Sequence, residues 1–123
     1  MISFMPVMLA NPEARDAAMS AAIANSTAVF SKRGFTTLSE LALGAFLGNT
    51  AEIDTLFKLA DSDALKTRIR AYPTYAIEKS MDTSIYKANH GNDLVKLAGF
   101  KLVADGSNQG FTGLQRAPYH YSL

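Results

Sequence analysis

Acid–base or metal chemistry in this chain of 123 residues must draw on two histidines, His90 and His120, because the sequence contains no cysteine. Zinc sites combine His, Cys, Asp and Glu side chains at short spacings. Here His90 has only Asp93 close by, and His120 has no acidic residue at helical spacing. We therefore predict no metal site, no cofactor and no catalytic residue.

The loop of residues 105–110 places oxygen-bearing side chains at alternating positions before a glycine, as a calcium-binding loop does. The twelfth position, which is a bidentate glutamate in such loops, is Arg116. The loop also lacks the Gly-Lys-Ser/Thr ending of a P-loop, and the chain has no Gly-x-Ser-x-Gly elbow. The sequence therefore favours a hairpin loop at this position and a protein that is not an enzyme.

A basic group with nearby tyrosines is the alternative site. Lys66 and Arg70 share one face of a predicted helix by their i, i+4 spacing, and Tyr72 and Tyr75 follow. Exposed rings beside cations can stack on the bases of single-stranded nucleic acid. The net charge is only +1, so no strong overall field attracts a polyanion. A small nucleic-acid-binding regulator is thus the alternative function, and a solvated helix face explains the same residues.

Both ends of the chain carry large apolar side chains on segments with few helix signals. Such arms either cover the chain's own core or dock on a neighbouring molecule, as aromatic and methionine side chains do at interfaces. We expect docking on protein, through Phe4, Met8, Leu9, Phe111, Leu114, Tyr119, Tyr121 and Leu123. The leading function is a non-enzymatic structural or interaction subunit of a larger assembly or homo-oligomer, for example a viral particle component or a small adaptor or inhibitor.

Capping signals predict the elements that position these residues. Asn11, Pro12 and Glu13 supply a capping side chain, a first-turn proline and an acid at the start of a long helix, which Gly34 ends. Similar signals at 37–40, 49–52 and 61–63 predict three further helices, which end near residues 48, 60 and 72.

The remainder of the chain gives weaker signals. Residues 74–90 combine apolar side chains at a four-residue spacing with two short runs typical of strands, and we favour a helix. Asn92 caps a short helix that ends at Gly99. Residues 100–103 are expected to form a strand, with 111–114 returning as its hairpin partner.

The predicted fold class is mainly α, a single compact domain of four or five helices with a short C-terminal β-hairpin and extended arms. Its parts are an apolar N-terminal arm (1–10), a helical body (11–99), the hairpin (100–116) and an aromatic C-terminal arm (117–123). A composition of 48% hydrophobic and 19% charged residues is typical of ordered globular proteins. No window resembles a membrane span, and the apolar start lacks the basic residues of a signal peptide. We expect a cytoplasmic location, or one within a virus-like particle, with no membrane partner.

Overall fold

Residues 11–82 and 84–119 are described by a computed structural model. Its elements, in chain order, are α1 (Pro12–Lys32), β1 (Thr37–Leu43), α2 (Ala51–Ala60), β2 (Arg68–Pro73), a 3-10 helix (Tyr75–Ser80) and β3 (Val95–Leu97). The three strands form one parallel sheet in the order β1-β2-β3. The prediction of a mainly α domain with four or five helices is therefore wrong, and the fold is α/β.

The first helix begins and ends where its capping signals predict. The Asn11 side chain accepts the backbone N–H of Ala14 at 3.1 Å, and Pro12 takes the first helical position. Gly34 follows the helix with a φ of +87°, a conformation that glycine adopts without steric cost. These signals are local in the chain, so the sequence alone is enough to place this helix.

Only one side chain of α1 is fully buried, that of Thr27. Its hydroxyl donates to the Ala24 carbonyl at 2.9 Å and accepts the backbone N–H of Lys66 at 3.2 Å. This pair of hydrogen bonds ties α1 to the loop that leads into β2. The rest of the helix is exposed or half-buried.

The second predicted helix is the strand β1. Leucine, alanine and glutamate are good helix formers, and the capping-box pattern at 37–40 predicted a helix start. Pairing with β2 overrides this local preference, since Thr37 lies opposite Arg68 and Leu38 opposite Ile69 in a parallel ladder. The register of this ladder shifts between Glu40 and Leu43, where the strand is irregular.

Four further predicted elements also differ from the structure. The end of the fourth predicted helix is β2, and the helix predicted after Asn92 is β3. Within residues 74–90, where we favoured a helix, the described residues form the 3-10 helix Tyr75–Ser80 followed by turns. The hairpin predicted for 100–116 does not form, since these residues make turns apart from a bridge between Lys101 and Thr74.

The hydrophobic core lies between α2 and one face of the sheet. Within the described part of the chain it is built from Leu43, Ile53, Leu56, Ala60, Leu65, Ile69, Ala71, Ile77, Met81, Val95 and Leu97. The prediction of a helix that begins at the signal over 49–52 and ends near residue 60 is confirmed, and its Ile53, Leu56 and Ala60 side chains face this core. Residues 98–119 contribute no side chain to the core.

The two faces of the sheet differ in character. Burial alternates along β2, so that Ile69 and Ala71 are buried on the inner face, whereas Arg70 is half-buried on the outer one. Side chains from both α1 and α2 meet the inner face, where they line one groove with Leu38 and Ile69. Purely parallel sheets usually have both faces covered, so an outer face over which no described helix lies is unusual.

Candidate protein-interaction surface

The outer edge of β3 is closed by the chain itself. The backbone N–H groups of Asn92 and Asn89 donate to the carbonyls of Val95 and Leu97, each at 2.9 Å. The N–H of Leu97 donates to the His90 carbonyl at 2.9 Å, and the N–H of Val95 donates to the Asn92 side chain at 3.0 Å. Every backbone group of Val95 and Leu97 that points away from β2 is therefore paired.

The outer edge of β1 is open. The Thr36 carbonyl accepts the N–H of Arg68 at 2.9 Å, which fixes the alternation of the parallel ladder. Thr37 and Ser39 consequently turn their N–H and C=O groups away from β2, and Leu41, in the irregular stretch after Glu40, likewise has no partner in the ladder. Within the described residues, no group forms a hydrogen bond with these outward backbone groups. An open strand edge of this length is a template for pairing with another strand.

An apolar groove of about 400 Å³ runs along the inner side of this edge, between α1 and β1. Because α1 buries only Thr27 completely, the apolar side chains on its sheet-facing side stay accessible from the groove. Its apolar lining comes from four elements and consists of Ala22, Ile23, Phe30, Leu38, Leu43, Leu56 and Ile69. Ser26, Thr27, Ser39 and Glu40 complete the lining, so the groove continues the open edge as a mainly apolar surface.

Large apolar side chains also border the open edge. Phe30 and Phe35 pack edge to face, with ring centroids 5.5 Å apart, at the turn that leads into β1. Phe35 is 50% exposed and Leu41, within the strand, is 51% exposed. Exposed apolar side chains beside an open strand edge are typical of surfaces that bind another protein.

The glycine-rich loop between β1 and α2 is occupied by the chain's own carboxylate. Ligands of parallel sheets bind beyond the carboxyl ends of the strands, where this loop lies. The Glu52 carboxylate accepts the N–H of Gly44 at 2.6 Å and that of Leu47 at 3.2 Å. Because Glu52 already accepts the hydrogen bonds of these two amides, they are not available to hold a phosphate.

His90 lies in a cluster of aromatic rings beside a surface hollow of about 350 Å³. Its ring contacts those of Phe57 and Tyr86, with centroids 4.9 and 5.6 Å away. The Tyr86 hydroxyl donates to Asp54, and burial together with this carboxylate raises the pKa of Tyr86 to about 12. The hydroxyl therefore stays protonated well above neutral pH. Among the described residues, no three His, Asp or Glu side chains are grouped to hold a metal ion.

Eight side chains are predicted to bind a protein partner, and five of them lie outside the described residues: Phe4, Met8, Leu9, Tyr121 and Leu123. The other three lie in one loop, residues 105–119. There the rings of Phe111 and Tyr119 are 5.3 Å apart, and the Tyr119 hydroxyl lies 3.0 Å from the Gly113 carbonyl. Leu114 is 86% exposed on this loop. Docking through these residues stays a prediction.

The structure separates the four residues of the alternative site. Arg70 and Tyr72 alternate with buried residues along β2 and so share its outer face. Lys66 lies in the preceding loop, with its amine donating to the Asp63 carbonyl at 2.7 Å, and Tyr75 lies in the 3-10 helix. The helical spacing that grouped Lys66 with Arg70 is wrong, because residues 68–73 form a strand.

Two features of the sheet were not predicted from the sequence, the open edge of β1 and the position of Lys96 beside Arg70. The sequence analysis did not identify the edge formed by Thr37, Ser39 and Leu41, because a predicted helix has no edge. It also left out Lys96, which lies opposite Arg70 on the neighbouring strand. Alternation of apolar and charged residues over 68–73 is the signal that could have indicated the strand.

The chain has no match among the known proteins with which it was compared. Neither protein-family models, nor curated proteins, nor solved structures gave a match. The described part of the chain also holds no helix with the length and apolar character that crossing a membrane requires. Function must therefore be inferred from the geometry of the sheet and its surroundings.

Proposed function

We propose that this protein is a non-enzymatic structural subunit that associates with a second copy of itself through the open edge of β1. The observation that carries this proposal is the contrast between the two edges of one sheet. Residues 89–92 pair with the outward groups of β3, whereas β1 leaves the outward groups of Thr37, Ser39 and Leu41 unpaired beside an apolar groove. Proteins usually protect strand edges, so the exposed edge is the one suited to a partner.

A two-fold pairing of antiparallel β1 strands fits the chemistry of this edge. Residues that exchange both backbone hydrogen bonds in such a pair must each point outward, which restricts the register. With Ser39 facing its own copy, Thr37 faces Leu41 and Leu38 faces Glu40. A register centred on Glu40 would place two carboxylates directly opposite each other, which is destabilising. The Ser39-centred register avoids this repulsion.

The apolar surroundings favour the same arrangement. A strand added at β1 would cover the mouth of the groove and part of the Leu41 side chain, which is about half exposed in a single copy. Burial of apolar surface contributes roughly 25 cal/mol per Å². The added strand would thus gain backbone hydrogen bonds and apolar contact together.

Membership of a larger assembly, within the cytoplasm or a virus-like particle, extends the same proposal. Residues 98–119 contribute nothing to the core, yet Leu102 and Val103 are 69% and 72% exposed. Exposed apolar side chains on a segment separate from the β1 edge supply a second contact surface. A subunit with two such surfaces can join more than one neighbour.

Ser39→Pro tests the proposed pairing. Proline removes the outward N–H of Ser39 but leaves the ladder to β2 intact, because only the neighbouring residues bond inward. We expect the unchanged chain to have the mass of a dimer by light scattering over a wide concentration range. The Ser39→Pro chain should have the mass of a monomer at the same concentrations.

Ser39→Thr is the matched control, since it keeps the backbone N–H and a β-branched residue suits a strand. It should remain dimeric. Far-ultraviolet circular dichroism must show unchanged secondary structure in the proline variant, and Ser39→Lys offers a second disruption of the edge without backbone constraint. A monomeric unchanged chain at all concentrations, or a folded Ser39→Pro dimer, would overturn the proposal.

A further inference from the structure

The outer face of the sheet carries three cations and one aromatic ring side by side. Arg68, Arg70 and Tyr72 occupy alternate positions of the central strand β2, and Lys96 of β3 lies opposite Arg70 in the register. Paired residues of a parallel sheet share a face, so Arg70 and Lys96 are direct neighbours. The exposed Ser39 completes the row on β1.

The two arginines of this face have no acidic partner among the described residues. The Nε of Arg68 donates to the Thr37 hydroxyl at 3.1 Å, and a guanidinium N–H of Arg70 donates to the Ile69 carbonyl at 3.3 Å. Both acceptors are neutral, so neither interaction cancels the charge. Lys96 lies 3.6 Å from the carboxylate of Asp93, a fully exposed side chain on a solvated turn. The face therefore keeps a net positive charge.

Like charges on neighbouring strands destabilise a sheet, and here they also lie on the face that none of the described helices covers. Arg70 is half-buried, which reduces the screening of its charge by water. A bound anion would relieve the repulsion between Arg70 and Lys96 and cover the open face at the same time. The chemistry of the face thus calls for an anionic ligand with an extended shape.

We propose that this outer face binds single-stranded nucleic acid, a function beyond the proposed self-association. Alternate residues of a strand are about 6.6 Å apart, so Arg68 and Arg70 can contact successive phosphates of an extended strand. Tyr72, next in the row, supplies a ring on which a base can stack. A sheet face with no projecting helix cannot enter the major groove, so duplex DNA binds more weakly.

The test measures fluorescence polarisation of a labelled short oligothymidylate with the full chain. Each phosphate neutralised on a single strand contributes about −0.7 to the slope of log affinity against log salt, so three cations predict a slope of about −2. Affinity should then fall about 20-fold between ~50 and ~200 mM salt. Arg70→Ala should reduce the slope to about −1.4 and weaken binding at low salt.

Two further variants separate the roles of charge and ring. Tyr72→Leu should weaken binding about fivefold or more while leaving the salt slope unchanged, because stacking involves no counterion release. Lys66→Ala is the matched control, since this lysine lies off the sheet face and bonds a backbone carbonyl. It should retain the affinity and slope of the unchanged chain.

Three outcomes would overturn this inference. They are absence of oligothymidylate binding at low salt, equal loss of affinity in Arg70→Ala and Lys66→Ala, and equal binding of duplex DNA or polyglutamate. Equal loss in the two variants, or equal binding of duplex DNA, would indicate a non-specific electrostatic attraction. Equal binding of polyglutamate would indicate a site for acidic proteins. Repeating the titration with Ser39→Pro keeps the two proposals distinct. This variant should be a monomer but keeps the three cations and Tyr72, so it should still bind the oligothymidylate.

Discussion

Replacing Glu52 by alanine should destabilise the protein more than its half-buried position suggests. The carboxylate joins the loop after β1 to the first turn of α2 through the amides of Gly44 and Leu47, at 2.6 and 3.2 Å. No other hydrogen bond is described for either amide. Alanine at this position leaves two backbone donors without a partner in a partly buried loop.

The magnitude follows from these two bonds. A hydrogen bond to a charged group contributes about 1.5–3 kcal/mol, and the solvent access of the half-buried Glu52 places the bond to Gly44 at the lower end of that range. Glu52 is only half-buried, so water can replace part of the loss at the weaker bond to Leu47. Loss of a negative charge in the first turn of α2 costs about 0.5 kcal/mol more. We expect the free energy of unfolding to fall by about 2–3 kcal/mol.

Urea unfolding followed by circular dichroism measures this loss, and Glu13→Ala is its matched control. Glu13 occupies the second position of α1, as Glu52 does in α2, but has no loop amides to bind. Its replacement should cost about 0.5 kcal/mol through the helix dipole alone. Equal losses in the two variants would refute the explanation, because the loop bonds would then contribute nothing.

Two other regions allow similar tests. Asn92→Ala removes the side-chain bond to the Ala60 carbonyl at 2.9 Å and two bonds from backbone amides at the start of β3, so the free energy of unfolding should fall by about 2–3 kcal/mol. Asn92→Asp should keep the two bonds from the backbone amides and lose those that the side-chain amide donates to Ala60 and Asp61. Tyr86 should contribute stability below pH 10 that is lost as pH rises towards its pKa of about 12, since the folded chain holds this proton more tightly than the unfolded one. An ultraviolet titration of Tyr86→Phe should lack this late step, and loss of a tyrosine that titrates near pH 10 would contradict the assignment.

The helices could be predicted from sequence because their signals are local. Asn11 and Pro12 mark the start of α1 within two positions, and the spacing of Ile53, Leu56 and Ala60 marks the buried side of α2. Capping and periodicity involve residues within one or two turns, so no knowledge of the rest of the chain is needed.

The strands could not be predicted in the same way because their partners are distant. Thr37 and Arg68 are 31 positions apart, and nothing in residues 37–43 alone reveals that pairing. Leucine, alanine and glutamate in this stretch even favour a helix. Tertiary pairing outweighs a propensity of a few tenths of a kcal/mol per residue, and this explains the error in fold class.

The candidate sites depend on the strands and were affected by the same error. The helical period grouped Lys66 with Arg70, whereas the two-residue period of the strand places Arg68 and Tyr72 on the same face as Arg70. Lys96 joins them only through sheet pairing. The open edge of β1 is likewise a property of the assembled sheet, so no local pattern could indicate it.

The parallel order of the sheet also constrains how fast the protein can fold. No two of the three described strands are joined by a hairpin. The connection from β1 to β2 passes through α2, and the connection from β2 to β3 passes through the 3-10 helix and the turns after it. Closing such long loops costs entropy before any pairing compensates for it, and this slows folding. During synthesis β1 leaves the ribosome well before its partner β2. Until β2 emerges, both edges of β1 are exposed, and the nascent chain is at its most prone to aggregate.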